Sequence, residues 1–535
     1  MVSPMYTLYV GTFIQLPRTI SPDEKHELAI TRGALWVSVA DGKIKGFDWS
    51  VATESDLQTL LQRHGWVVDG SSRGRRSSVV VKLVRAREEE HEFFFPGFID
   101  THIHAPQYPN TGLFGSSTLL DWLQTYTFPM EASFASPAAL PHLPPPQAYR
   151  AYSQVIARTL RHGTTTAAYY ATIHVPATNL LASLAHKKGQ RALIGRVCMD
   201  NPATCPSFLI DESAEASIAH TQAVIDHIHA LPPLSPDDHP DGKTRLVQPI
   251  LTPRFAPSCT PPALAGLAHL AKQYTPPLHI QTHISENLHE CALVREQFPD
   301  CEGYADVYDR FGLLTPRTIL AHAVHFSPRE RGLVAARGAK VSHCPASNSA
   351  LGSGICPVRW LRRGGVVVGL GSDVSGGYSV SLLEGARQAC LVSRLLPFVQ
   401  QPGREEDGAS KDAGDAVISV EEALYLATRG GAEVVDLAEV VGGFELGMAW
   451  DAQLIRLGGF EPAGLWTDAP KSNVDVWGKE SWTERVHKWV WNGDDRNVKA
   501  VWVQGRLVHG FETEGAGARW TGWNWTPGGY GALPG

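Results

Sequence analysis

No pair among the eight cysteines has the C-x-x-C spacing of a zinc ribbon or a redox dithiol. A chain of 535 residues does not need disulfides for its stability, so the expectation is scattered reduced thiols in a cytosolic protein. No stretch approaches the ~20 apolar residues of a membrane-crossing helix. The opening MVSPMYTLYVGTFIQL lacks a basic flank and reads as a strand rather than a signal peptide. Basic charge is also short, with 47 Lys and Arg against 54 Asp and Glu and a formal net charge of -7. That balance argues against nucleic-acid binding, which normally needs a basic face. No internal repeat is found.

The composition is that of an ordinary globular chain, 43% hydrophobic and 19% charged. The length exceeds what one core usually serves, so one large domain and a smaller one are expected. Strand-like runs fall at 93–101, 164–170, 192–198, 245–252, 278–283, 318–322, 339–344 and 366–371. Helical stretches intervene at 148–162, 213–230, 261–273, 286–297 and 327–337. Eight alternations predict an α/β fold, a TIM-type (β/α)₈ barrel over 93–440, with a doubly wound sheet as the alternative. The flanks, 1–92 and 441–535, carry short strands without helical alternation, among them 6–14, 34–48 with a turn at Asp41-Gly42, and Val498–Gly505. These two segments are expected to pair into a small β-sandwich domain. Four stretches read as solvated loops: the basic, Ser-rich 70–79, the Pro-rich 133–147, and the insertions 231–243 and 401–416.

In a (β/α)₈ barrel the C-terminal strand ends converge on one face, where active sites form. Strand one ends in Asp100-Thr101-His102-Ile103-His104, strand five in His283, strand six in His322, and Asp373 follows strand eight. His102 and His104 alternate with Ile103, so the two-residue period of a strand points both imidazoles the same way. With His283 and Asp373 they offer three nitrogens and one oxygen. That set suits one Zn²⁺ with an open position for water, and Fe²⁺ is the alternative. A lone histidine at a strand end is usually a hydrogen-bonded structural residue, but a pair joined by further donors on the right strands is a much stronger signal. His325 and His343 lie close by and are expected to be structural; His142, His227, His229 and His239 are expected on the surface.

These residues resemble the amidohydrolase superfamily, and within it the barrel-type guanine deaminases. The likeness runs from the N-terminal strands to about residue 455. It rests on PGFIDTHIHAPQY from Pro96, LDWLQTYTFPME over Leu120–Glu131, Thr252-Pro253-Arg254-Phe255, HIQTHISEN from His279, HCPASN from His343 and GLGSDVSGGY from Gly369. The resemblance implies metal binding by His102, His104, His283 and Asp373. It implies purine contacts from Gln107, Arg254 and Phe255, alongside His283, Glu286 and Asp373. Proton transfer would fall to Glu286, and His322 would stand beside the attacking water without ligating. The implied reaction is hydrolysis of guanine to xanthine and ammonia by a hydrolase of C–N bonds in cyclic amidines, in a cytosolic homodimer.

Each assignment has a structural alternative. Glu286 opens the predicted helix and could serve as its cap. Arg254 could form a salt bridge at the barrel rim, and Phe255 could simply pack in the core. Dinuclear relatives need a bridging lysine on strand four, and Val247–Thr252 has none. Two other functions stay in view: the same chemistry on another amino- or chloro-substituted heterocycle, and a non-catalytic amidohydrolase-like scaffold.

Overall fold

The structure, a computed structural model, describes residues 4–510 apart from 20, 22, 24, 25, 70–78, 234–244, 400–415 and 460–471. Most of the loops expected at 70–79, 231–243 and 401–416 lie outside the described residues, as do His239 and the segment beyond 510.

Eight parallel strands form the expected ring: β1 Phe98–His104, β2 Thr164–Tyr170, β3 Arg191–Gly195, β4 Val247–Pro253, β5 His279–Ile284, β6 Thr318–His322, β7 Lys340–His343 and β8 Val368–Leu370. Each pairs with the next in chain order. Beyond β8 the ring is tied to β1 by two backbone bonds, Asp373 N–H to the His102 carbonyl at 2.8 Å and His104 N–H to the Val374 carbonyl at 3.0 Å.

The helices follow from their sequence pattern. In Pro146–Arg161 the buried residues Ala148, Ala151, Tyr152, Val155, Ile156, Thr159 and Leu160 recur at helical spacing, giving one apolar face for the barrel. Pro328–Arg337 is started by a Ser327/Glu330 capping box and stopped by Gly338 at φ +67°, a conformation glycine adopts without a Cβ penalty. The Pro-rich 133–145 has no regular structure, as expected, but Pro146 and Gln147 already belong to the helix.

Two expectations need correction. The run at 93–101 is not one barrel strand. Glu92–Pro96 pairs with Ala452–Arg456 in the small domain, and the chain enters the barrel at Phe98. Gly97 sits at the crossing because a Cβ there would collide with the Thr165 side chain. The flanks are also not free of helix: Glu54–His64 and Trp482–Asn492 lie within them. Trp489 of the second packs against Phe93, Phe95 and Phe98, joining the flank to the barrel entry.

The small domain is one nine-stranded mixed sheet that forks at Tyr6–Gln15. One edge of that strand pairs with Ala29–Ser38, and the other is shared between Val79–Arg85 and, at Phe13, Glu92–Pro96. The fork folds the sheet over a common aromatic core, in which Tyr9 meets Phe94, Trp450 and Trp502.

Among the described residues no disulfide joins the cysteines, and six of the eight are buried. Among the described residues no helix is long and apolar enough to cross a membrane.

Candidate active site

The C-terminal strand ends meet at a cavity that is partly open to solvent. His104, Gln107, Arg254, Phe255, His283, Glu286, His322 and Asp373 all line it, with Leu119, Trp122, Leu123 and Leu351 as apolar wall.

At its deep end the ligand atoms of His102, His104, His283 and Asp373 lie within 4.8 Å of one another. Asp373 Oδ1 is 3.1 Å from His102 Nε2 and 3.4 Å from His104 Nε2, and His104 Nε2 is 3.1 Å from His283 Nε2. The second nitrogen of His283, Nδ1, donates to the Arg254 carbonyl at 2.5 Å. That bond leaves the Nε2 lone pair facing inward, the usual arrangement behind a ligating imidazole. Burial pushes His102 below the ordinary histidine value and His104 and His283 well below it, so all three are neutral. Burial opposes ionisation of Asp373, but His102 and His322 outweigh it and keep the group a carboxylate. Three neutral imidazoles and one carboxylate fit a divalent transition ion.

Backbone support comes from Asp100, whose Oδ1 accepts from Ser372 N–H at 2.9 Å and His102 N–H at 3.2 Å. It thereby ties the strand bearing His102 to the one preceding Asp373. Burial raises the Asp100 carboxyl to about 7, with Asp373 adding to the rise. Ser285, His322 and Asp373 have φ of +48°, +79° and +48°. Non-glycine residues take this left-handed conformation at a cost of about 1–3 kcal/mol each, and such residues cluster where surrounding structure holds a functional geometry.

Beside this group stand His322 and Glu286. His322 Nδ1–H donates to Asn348 Oδ1 at 2.9 Å, while its Nε2 lies 3.3 Å from Glu286 Oε2 and 3.7 Å from Asp373 Oδ2. Burial opposes protonation of His322, but Glu286 and Asp373 outweigh it and raise its pKa. Burial also raises Glu286 to about 7, against the pull of His322 and of Ser353, whose hydroxyl donates to Glu286 Oε1 at 3.0 Å. Glu286 is not the helix cap. The helix begins at Leu288, Asn287 caps it, and Glu290 accepts from the N–H groups of Glu286 and Asn287. The Glu286 carboxyl is therefore free of the capping duty its sequence position suggested.

At the other end Arg254 and Gln107 face the cavity, but Arg254 is not unpartnered. Both terminal nitrogens donate to Glu131, at 2.6 and 3.0 Å, and Gln107 Nε2 donates to the same carboxylate at 2.8 Å. Phe255 lies against the cavity just past β4, where its backbone bridges to His283. His325 holds the Ser353 carbonyl at 2.8 Å. His343 is buried on β7, where burial and His322 lower it to about 3. His142 is exposed, whereas His227 and His229 are half-buried, His227 beside the Ser183 hydroxyl.

Sequence reasoning passed over Glu131, Asn348, Glu290 and Ser353. The first three stood inside or beside quoted motifs without a role. Ser353 carried no signal, because only the folded loop brings it to Glu286.

A model of the amidohydrolase family matches residues 93–508. The chain is 45% identical over 423 residues to a probable guanine deaminase of Schizosaccharomyces pombe, covering 79% of this chain and 72% of that one. It is 39% identical over 418 residues to a guanine deaminase of Dictyostelium discoideum, covering 78% and 83%. The structure resembles that of a guanine deaminase from C. acetobutylicum with guanine bound in the active site, with a TM-score of 0.72, 29% identity and coverage of 94% and 100%.

Proposed function

The chain belongs to the amidohydrolase family, whose members depend on metal, and we propose that it hydrolyses guanine to xanthine and ammonia. The observation that carries this conclusion is one cavity lined by His104, His283 and Asp373 of the four-ligand cluster together with Arg254 and Gln107.

His102, His104, His283 and Asp373 are the proposed ligands of a single Zn²⁺, with Fe²⁺ as the alternative. The ion supplies the acidity that makes a water nucleophilic near neutral pH. Asp373 would take the proton from the attacking water, and His322, whose Nε2 lies 3.7 Å from Asp373 Oδ2, would orient that water. Oxygen adds to C2 of guanine while Glu286, protonated up to about pH 7, delivers a proton to the ring nitrogen beside C2. A proton passed to the exocyclic amine lets the C2–N bond break and ammonia leave. Phe255 lies along the ring, Gln107 pairs with the purine edge, and Arg254 faces the C6 carbonyl with the N–H groups that Glu131 leaves free.

Ultraviolet spectroscopy of guanine incubated with the protein should show xanthine accumulating. No change with guanine, together with turnover of a pterin, triazine or pyrimidine, would overturn the assignment. Elemental analysis should give one metal per chain; two, or none after metal-supplemented expression, would remove the mononuclear centre.

A further inference from the structure

Glu131 is fully buried near the end of the short helix Phe128–Ala132. A carboxylate at that depth is costly unless it is paired and hydrogen-bonded. Its two oxygens receive Arg254 Nη1 at 2.6 Å and Nη2 at 3.0 Å, a bidentate pair that fixes the guanidinium plane. Oε1 also receives Gln107 Nε2 at 2.8 Å. The other end of that amide is held too, since Gln107 Oε1 accepts from Ser375 N–H at 3.3 Å. Phe128 from the same helix places its ring centre 5.1 Å from Arg254 Cζ.

We propose that Glu131 is a positioning residue for substrate discrimination, holding Arg254 and Gln107 as one rigid edge that reads the carbonyl side of the purine. This rests on the roles given to those two residues under the proposed function. The carboxylate uses one N–H on each terminal nitrogen of Arg254, leaving its Nε–H and two further N–H groups for a ligand. Gln107 keeps one N–H and one lone pair, their directions set by Glu131 and Ser375. Glu131 also cancels the charge of Arg254, so the edge selects by direction of donors and acceptors rather than by net charge. A substrate without the carbonyl therefore strands no bare cation. The penalty against it stays below the ~10⁴–10⁵ of sites whose polar group is left unpaired.

The test compares guanine with 2-aminopurine, which keeps the leaving amine and lacks O6, in wild type, Glu131→Gln, Glu131→Asp, Arg254→Met and the Glu131→Gln/Arg254→Met double variant. Metal content and Tm are measured on each. In Glu131→Gln the new amide N–H₂ faces donors of Arg254 or Gln107. Its kcat/KM for guanine should fall about 10–100-fold, chiefly through KM, and that for 2-aminopurine only a few-fold. Glu131→Asp keeps the charge and should recover part of the loss. In the Arg254→Met background, Glu131→Gln should change the ratio between the two substrates clearly less than it does in the wild type, because only the part of its effect that runs through Gln107 is left. Equal losses on both substrates in Glu131→Gln and Glu131→Asp, or a fully additive double variant, overturn the proposal and leave Glu131 structural. Should Glu131→Gln not fold, Glu131→Asp decides by the same comparison of substrates. A wild type inert on guanine overturns the functional assignment, and this proposal with it; a wild type active on guanine with equal losses overturns this proposal alone.

Discussion

At the deep end of the cavity His102, His104 and His283 stand on barrel strands, and Asp373 stands three residues past Leu370. At the other end Gln107 and Glu131 stand on short helices between β1 and β2, and Arg254 follows directly on β4. The first group is placed by the hydrogen-bonded ring itself, down to the Asp100 bonds that tie the seam. The second is placed by side chains gripping one another across elements. A ring-placed group should fail as a unit when a member is lost. A mutually gripped group should fail by degrees, and differently for different substrates.

The largest effect is expected at the ring-placed end. Chelating the metal, or replacing His283 with Ala, should abolish turnover, and re-adding Zn²⁺ should restore the chelated wild type. Full activity in protein shown by elemental analysis to hold no metal would mean the strand ends do not house the working centre. Next comes Glu286→Gln, which should retain metal and bind guanine while turnover falls ~10²–10⁴-fold. Near-wild-type kcat would reduce Glu286 to a wall of the cavity.

Arg254→Met tests the gripped end. Its guanine kcat/KM should drop roughly 10–100-fold, the size of one charge-assisted hydrogen bond, with a smaller loss on 2-aminopurine. An all-or-none loss on both substrates would show that the two ends fail alike. The smallest effect is expected from Ser353→Ala. The Ser353 hydroxyl favours the ionised form of Glu286, so its loss raises the Glu286 pKa further above about 7. If the protonated carboxyl is the working form, activity declines as pH rises through that value. In the variant the decline should move to higher pH, with only a few-fold change at the plateau. A shift to lower pH would refute the assigned direction.

The same contrast explains how much was legible in the sequence. His102-Ile103-His104 could be placed because a two-residue period fixes side-chain direction, and Asp373 because it closes the eighth alternation. Seven of the eight barrel strands were found within three residues of their observed ends, since parallel barrel strands read as short apolar runs. Glu131 was not legible as a partner of Arg254, because 123 residues separate them and no periodicity links them. A salt bridge was among the alternatives open to Arg254, but nothing in the sequence named its partner. Glu286 looked like a helix start because it opens the stretch 286–297 read as helical, but Asn287 and Glu290 divide the capping between them. The break at Gly97 was hidden for a related reason: Phe93-Phe94-Phe95 and Phe98-Ile99 are equally apolar, and only their neighbours tell the two sheets apart.

That break bears on how the chain is made. Glu92–Pro96 lies between Tyr6–Gln15 and Ala452–Arg456 in the small sheet, and runs directly into the first barrel strand. During synthesis one flank of this phenylalanine-rich strand has no partner until the ribosome has added about 350 more residues. At ~5–20 residues per second that is roughly 20–70 s. An apolar strand edge left open so long is a site for pairing with the wrong chain. Yield in a cell should therefore depend on chaperones that shield the nascent amino-terminal third, and slower translation should lower the soluble fraction even though the finished protein is unchanged.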